Sequence, residues 1–316
     1  MLSRSAENLY WMSRYIERAE NAARVLDVSY RMSLMPAAAP KESLYWQPAI
    51  EIGNDPAAFR ARFGEAGQSN VLRFTVLDRS NPSSVYSCIR AARENARAER
   101  TRISSEMWEA LNETWLAVAD LDAARLDTWG LRAFFDWVKS RSHLFRGVTV
   151  GTALQDDAFH FIRIGTFIER ADSTARILDV KYHVLLPSGE EAGGSVDYYQ
   201  WGALLRSVSA FRAYRNVYRR EIAPWRVAEL LILHPAFPRS LAACLAGVDR
   251  TLGLLAPSGR LECVRLAGEL YADLRYGKID DIFRSGLHEF LEDFIGRNNR
   301  LAGQLQSDFM MSSVVE

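Results

Sequence analysis

The 316-residue sequence predicts an all-α protein built from two similar helical halves. Three observations carry this reading: a helical apolar period, the lack of alternating β-branched runs or strand-flanked Asn-Gly turns, and a long segment that occurs twice. In the first segment, 5–33, apolar residues fall at Met12, Tyr15, Ile16, Ala19, Ala22, Ala23, Leu26 and Tyr30, one face of a helix. Further along, Asp55-Pro56 and Asn81-Pro82 each place proline at an expected first helical position behind a capping side chain. Thr128, ahead of Trp129-Gly130-Leu131, reads as another N-cap, and Asp156-Asp157 as the cap of a second long helix over 157–185. The polar stretch Pro187–Ser195 is the clearest loop, and Ala223-Pro224 opens a later helix.

Composition narrows the function classes. An apolar share of 48% and a charged share of 25% describe a chain able to bury a sizeable core. Thirty-nine basic residues balance thirty-nine acidic ones, so no basic excess points to nucleic acid. Cys88, Cys244 and Cys263 are too few for a disulfide framework, and none forms a Cys-x-x-Cys pair. The polar opening Met1–Asn8 lacks the apolar core of a signal peptide, and no run approaches the roughly 20 apolar residues of a membrane span. The expectation is a soluble, cytoplasmic protein.

The repeat is explicit. Residues 15–28 and 167–180 are identical at nine of fourteen positions, where composition alone would give about one. Further matches place Pro82 over Pro238, Cys88 over Cys244, Glu106 over Glu262 and Trp115 over Tyr271. The offset grows from 152 to 156 between these stretches. The expected halves are 1–155 and 156–316, packed about a pseudo-twofold axis into one unit. Two separate bundles are the alternative, but no linker separates the halves.

Two charged stripes are candidate sites. On the first copy Glu17, Glu20, Arg24, Asp27 and Arg31 are spaced three and four apart; the second copy reads Glu169, Asp172, Arg176, Asp179 and His183. Residues so spaced are neighbours on a helix surface. The stripe is either a solvated salt-bridge ladder or a buried or ligand-facing network, and the recurrence of Glu, Arg and Asp at matched positions favours the second. The other stripe comprises Arg90, Arg93, Glu94, Arg97, Arg100 and Arg102, with no equal in the second half at Ala246–Thr251. A row of guanidinium forks suits carboxylate or phosphate; the plainer readings are a solvated basic face, or arginines paired with the acidic stripe of Glu17 and Glu20. The five histidines form no Glu-x-x-His pair of the di-metal carboxylate kind, and no phosphate loop, nucleophile elbow or zinc spacing is present, so no metal or cofactor is expected. Cys88 and Cys244 read as inert core.

Glu-Arg-Ala-Glu/Asp followed by Ala-Arg-x-Leu-Asp occurs twice. It is joined by Asn81-Pro82-x-Ser84 leading to Ala92-Arg93-Glu94-Asn95-Ala96-Arg97, and by Ser105-Glu106-x-Trp108-Glu109-x-Leu111-Asn112. This combination resembles the bacterial alpha-E family over essentially the whole chain. The resemblance implies an all-helical protein found beside a circularly permuted ATP-grasp protein and a transglutaminase-like protease, assisting in the making or modification of peptide-like products. The expectation is therefore a partner of an ATP-grasp amide-forming ligase. Its binding site would draw on Glu17, Glu20, Arg24, Arg93, Glu94, Asn95, Arg97, Glu106, Glu169, Asp172 and Arg176. A purely structural module, or an enzyme using Glu17 or Glu169 as acid/base, are the rival expectations.

Overall fold

A computed structural model describes residues 2–34, 43–184 and 195–311, without the side chains of 44, 181–184 and 195–199. The His183 side chain and residues 187–194 of the expected loop lie outside the described residues. Every regular element among the described residues is helical. In chain order these are α1 (Ser3–Ser33), α2 (Ser43–Glu51), α3 (Pro56–Phe63), α4 (Gln68–Leu72) running into a π-helical turn (Arg73–Leu77), α5 (Val85–Ala98), α6 (Ser105–Val118), α7 (Ala123–Trp129) and α8 (Leu131–Thr152). The order continues with α9 (Asp157–Val184), α10 (Ser195–Ser207), α11 (Phe211–Tyr218), α12 (Pro224–Ile232), α13 (Leu241–Leu255), α14 (Glu262–Tyr276), α15 (Ile279–Ser285) and α16 (Leu287–Phe309).

Local chemistry sets the boundaries. Asp55 caps α3 by accepting from the Ala57 and Ala58 amides, with Pro56 in the first helical position, where a missing N–H costs nothing. Pro224 opens α12 in the same way, and Asp156 accepts from the Phe159 amide at the head of α9. Two expected starts move. Asn81 accepts from the Ser83 amide in a turn, and the cap of α5 is Ser84, whose Oγ accepts from the Ser87 amide and donates to the Asp78 carbonyl. Thr128 lies inside α7 and donates back to the Ala124 carbonyl; the α7–α8 junction is Gly130, whose φ of 83° disfavours a side chain.

Packing follows two closed rings of four helices. Helices α1, α5, α6 and α8 pack in that cyclic order, as do α9, α13, α14 and α16. The rings meet along α1 and α9, and one apolar core runs through both. Contacts keep nearly constant offset along these two helices: Gly165 faces Tyr10 and Ser13, Glu169 meets Arg14 and Arg18, and Ile177 and Val180 share a cleft with Val25 and Val28. They therefore run side by side in the same direction. A Cβ at Gly165 would stand 2.3 Å from the Tyr10 carbonyl oxygen, so glycine there permits the close approach.

Being central, α1 is not the one-sided helix its apolar spacing implies. Met12, Ile16, Ala19, Ala23 and Leu26 are buried, and so are Arg14, Glu17, Glu20, Asn21, Arg24 and Asp27 on its other sides. No helix among the described residues is long and apolar enough to cross a membrane.

Candidate functional site

Because α1 and α9 run in register, the dipeptides Glu17-Arg18 and Glu169-Arg170 arrive at the same level, and each glutamate takes the arginine of the other helix. Arg170 donates to both Glu17 oxygens, Nε to Oε1 and Nη2 to Oε2, each at 2.9 Å. Arg18 donates to Glu169 in the same fashion, at 2.6 Å to Oε1 and 3.1 Å to Oε2. Two parallel charge-assisted bonds fix the guanidinium plane as well as its position. The result is a reciprocal lock across the centre of the molecule.

Around this lock the two ends differ. Glu17 also accepts from Arg146 of α8 at 2.8 Å and pairs with Arg239, just ahead of α13, at 3.0 Å. Glu20, with no exposed side-chain surface, accepts from Arg24 at 2.8 Å and from the Ser142 hydroxyl at 2.6 Å, with close pairs to Arg146 and Arg239. Arg24 extends the network by donating to the Ser207 carbonyl and the Ser209 hydroxyl. At the other end Glu169 takes one further arginine, Arg14, at 2.8 Å; that side chain is steadied by Tyr10 and the Trp11 ring. Asp172 pairs with Arg176 at 2.8 Å, one turn along. Here a cleft of about 350 Å³, mouth included, is bordered by Arg18, Asn21, Ser83, Asp172, Ser173 and Arg176 among others.

Electrostatics fix the protonation states. Burial pushes the Glu17 carboxyl upward, but Arg170 and Arg239 outweigh it and hold the pKa below the ordinary value. For Glu20 the same contest, won by Arg239, His143 and Arg146, leaves it well below. Glu169, despite burial, is held to about 2 by Arg18 and Arg14. All three are carboxylates near neutral pH. A carboxylate so stabilised is a poor general base and, being deprotonated, no general acid. Removing one partner of such a buried pair is costly, because the remaining charge stays desolvated.

The second stripe is a different object. Arg93 pairs with Glu94 at 2.6 Å, donates to Asn112 and lies over the Trp108 ring; Arg97 pairs with Glu94 at 2.9 Å with two thirds of its side chain exposed. Arg100 also covers Trp108, and Arg102 sits 3.7 Å from Glu99. Asn95 is half-buried, and Glu106 is exposed in the first turn of α6, where a negative charge suits the helix dipole. These partners lie on α5, α6 and the turn between them, outside the α1–α9 network, so the structure does not bring the two stripes together.

Of the residues singled out in the sequence, Glu17, Glu20, Arg24, Glu169, Asp172 and Arg176 gather around the α1–α9 seam. The arginines that complete the network, Arg14, Arg18, Arg146, Arg170 and Arg239, were not among them. Arg18 and Arg170 carried a signal, since both stand inside the repeated Glu-Arg dipeptide. Arg146 and Arg239 carried none, because Ala302 and Ser83 occupy the aligned positions. Cys88 and Cys244 are buried on matched hydrogen bonds to the Pro82 and Pro238 carbonyls, and burial pushes both thiols up to about 12. Such thiols are inert near neutral pH. Among the described residues no group of three or more His, Cys, Asp or Glu side chains is placed to hold a metal ion.

Fold and site together define a class: a domain helical in all its described elements and organised around interlocked Glu-Arg pairs. The chain belongs to the Alpha-E family, described as a predicted alpha-helical domain with a conserved ER motif, whose sequence model matches residues 1–310. No curated protein and no solved structure matches the chain.

Proposed function

We propose that this protein is a non-catalytic accessory subunit of a cytoplasmic ATP-grasp amide-ligating system acting on peptide-like substrates, built by duplication of one helical unit. The observation that carries the reading is that Glu17, Glu20 and Glu169 are each buried and ion-paired with two or more arginines. The residues best placed to act as acid or base are ionised, buried and held in arginine ion pairs. A central group of this kind suits rigid presentation of a binding surface better than proton transfer. The duplication is supported by the matched order of the two four-helix rings, by the shared Ser84/Ser240 caps and by the reciprocal Glu-Arg exchange. In this reading the halves are 1–155 and 156–316, related by a pseudo-twofold axis that runs along α1 and α9.

The face offered to a partner is the α5 stripe, where Arg93 and Arg97, ordered by Glu94 and Trp108, present guanidinium groups to an anionic group. The ATP-grasp partner itself rests on the family resemblance. A direct test mixes the purified chain with the circularly permuted ATP-grasp protein of the same genome and follows co-elution, ATP consumption and ligated product. The expected result is product from the mixture, none from this chain alone, and loss of co-elution in Arg93→Lys/Arg97→Lys. An equal product yield with and without this chain, together with separate elution, overturns the reading. Turnover by the chain alone that is lost in Glu169→Gln would establish the enzyme instead.

A further inference from the structure

The two ends of the network start from the same plan, and one is filled from within the chain. At the first end the Arg239 guanidinium packs onto Glu17 Oε1, Glu20 Oε1 and Asn21 Oδ1. The residues aligned with these three acceptors are Glu169, Asp172 and Ser173, and the residue aligned with Arg239 is Ser83. All four border the cleft. Serine is too short to reach across, and the acceptors show it. Glu17 Oε1 takes Arg170 and Arg239, whereas the matching Glu169 Oε1 takes Arg18 alone. Asp172 Oδ1 and Ser173 Oγ are buried atoms with no hydrogen-bond partner in the protein, and Ser173 as a residue is only 7% exposed. Asn21 Nδ2, on the same cleft, is a buried donor without a partner.

Charge tells the same story. Before Arg239 is counted, the first end holds two carboxylates, Glu17 and Glu20, and three arginines, Arg24, Arg146 and Arg170. The second end holds two carboxylates, Glu169 and Asp172, and three arginines, Arg14, Arg18 and Arg176. The two ends therefore match in charge, and at the first end a fourth guanidinium is held by its acceptors although burial and the neighbouring Arg170 and Arg24 push its pKa below the ordinary value. Buried polar atoms without partners are costly, and a ligand that supplies the missing donors regains that cost.

We propose that the cleft between Ser83, Glu169, Asp172 and Ser173 is a binding site for a guanidino group, in the form of an arginine side chain of a peptide-like ligand. The proposal rests on the reading of the halves as copies, and it gives that accessory protein a ligand class. The pattern for the site is Arg239, whose one guanidinium serves Glu17 Oε1, Glu20 Oε1 and Asn21 Oδ1, and the ligand's planar fork takes the aligned Glu169, Asp172 and Ser173; an ammonium lacks the fork. The Asn21 amide then faces a backbone carbonyl of the ligand. Arg176 and Arg18, about one third and one fifth exposed, also line the cleft, each already paired to a carboxylate.

The test is calorimetric titration of the full chain, without any ATP-grasp protein, so that failure here leaves the partner assay to judge the broader reading. N-acetyl-arginine amide is the probe, free L-arginine distinguishes an amino acid from a peptide source, and the lysine and citrulline amides are controls. The expected result is saturable binding of the arginine amide and none of the controls. Ser83→Arg, which supplies the guanidinium from within, should weaken binding at least about tenfold while leaving the melting temperature unchanged or higher. Asp172→Asn should weaken it similarly. If Ser83→Arg does not fold, Asp172→Asn and Ser173→Ala decide. Binding of free L-arginine alone would keep the guanidino site and move its source to the amino acid. No saturable binding, or binding undiminished in the folded variants, overturns the proposal and leaves the cleft as a packing defect only.

Discussion

Two groups of arginines in this molecule look alike in composition and behave in opposite ways. Arg93 and Arg97 on α5, and Arg100 in the turn after it, stand partly or largely in solvent, paired with a neighbouring glutamate or laid over Trp108. Arg14, Arg18, Arg170 and Arg239 are mostly buried between helices, and their carboxylate partners come from another helix or from elsewhere in the chain. Within α5, pairing is local and water competes for every charge, so each pair is worth a few tenths of a kcal/mol. Between α1 and α9 water is excluded and each charge depends on a partner more than a hundred residues away. The same side chain therefore serves as adaptable surface in one place and as a structural lock in the other.

The largest consequence concerns Glu17. Glu17→Gln removes the carboxylate shared by Arg146, Arg170 and Arg239, and should lower unfolding stability by about 3–5 kcal/mol in urea denaturation. Arg97→Ala, on the exposed stripe, should move it by less than about 0.5 kcal/mol. Equal losses at the two positions would erase the distinction.

Acid sharpens the same contrast. The folded Glu169 carboxyl titrates near 2, below its ordinary 4.5, so its contribution to stability is complete above the unfolded value and is lost as pH falls toward the folded one. That shift corresponds to about 3 kcal/mol, lost between roughly pH 4.5 and 2. Stability measured across this window should fall more steeply in the native protein than in Glu169→Gln. Parallel curves would place Glu169 outside the lock.

A smaller effect is expected at Arg24. Its removal takes two donors from Glu20, which keeps Arg146, Arg239 and Ser142. Arg24→Ala should cost about 2 kcal/mol, read from the denaturation midpoint. The smallest is Arg93→Lys. It should shift the melting temperature by a degree or two at most, because Lys retains the charge beside Glu94, yet it should weaken anion recognition that depends on a planar fork.

Much of the helical framework is legible in the sequence because the signals are local. Asp55-Pro56, Ala223-Pro224 and Asp156 act within one turn, and their structural roles follow from a single side chain. Where two capping residues stand close together, the local signal misleads. Asn81-Pro82 marks a turn, and Ser84 wins the cap because its hydroxyl also reaches the Asp78 carbonyl. Thr128 is displaced in favour of Gly130, whose left-handed backbone makes the corner.

The charged centre is legible only in part. Spacing within one helix shows which residues share a face, and it correctly joins Glu20 to Arg24 and Asp172 to Arg176. It cannot show that Glu17 and Arg18, adjacent and pointing in different directions, each find a partner in the same dipeptide of another helix. The repetition of Glu-Arg at 17–18 and 169–170 held that information, but reading it requires knowing that α1 and α9 run in register. Arg146 and Arg239 occur in one half each, so neither period nor repeat marks them.

The central claim is that α1 and α9 are held together by reciprocal Glu-Arg pairing, and a double-mutant cycle on Glu17 and Arg170 tests it most directly. Stability is measured for the native protein, Glu17→Gln, Arg170→Gln and the double variant by urea denaturation. The account predicts a coupling energy of about 2–3 kcal/mol, so that the double variant is much less damaged than the sum of the singles. Additivity within about 0.5 kcal/mol would contradict it.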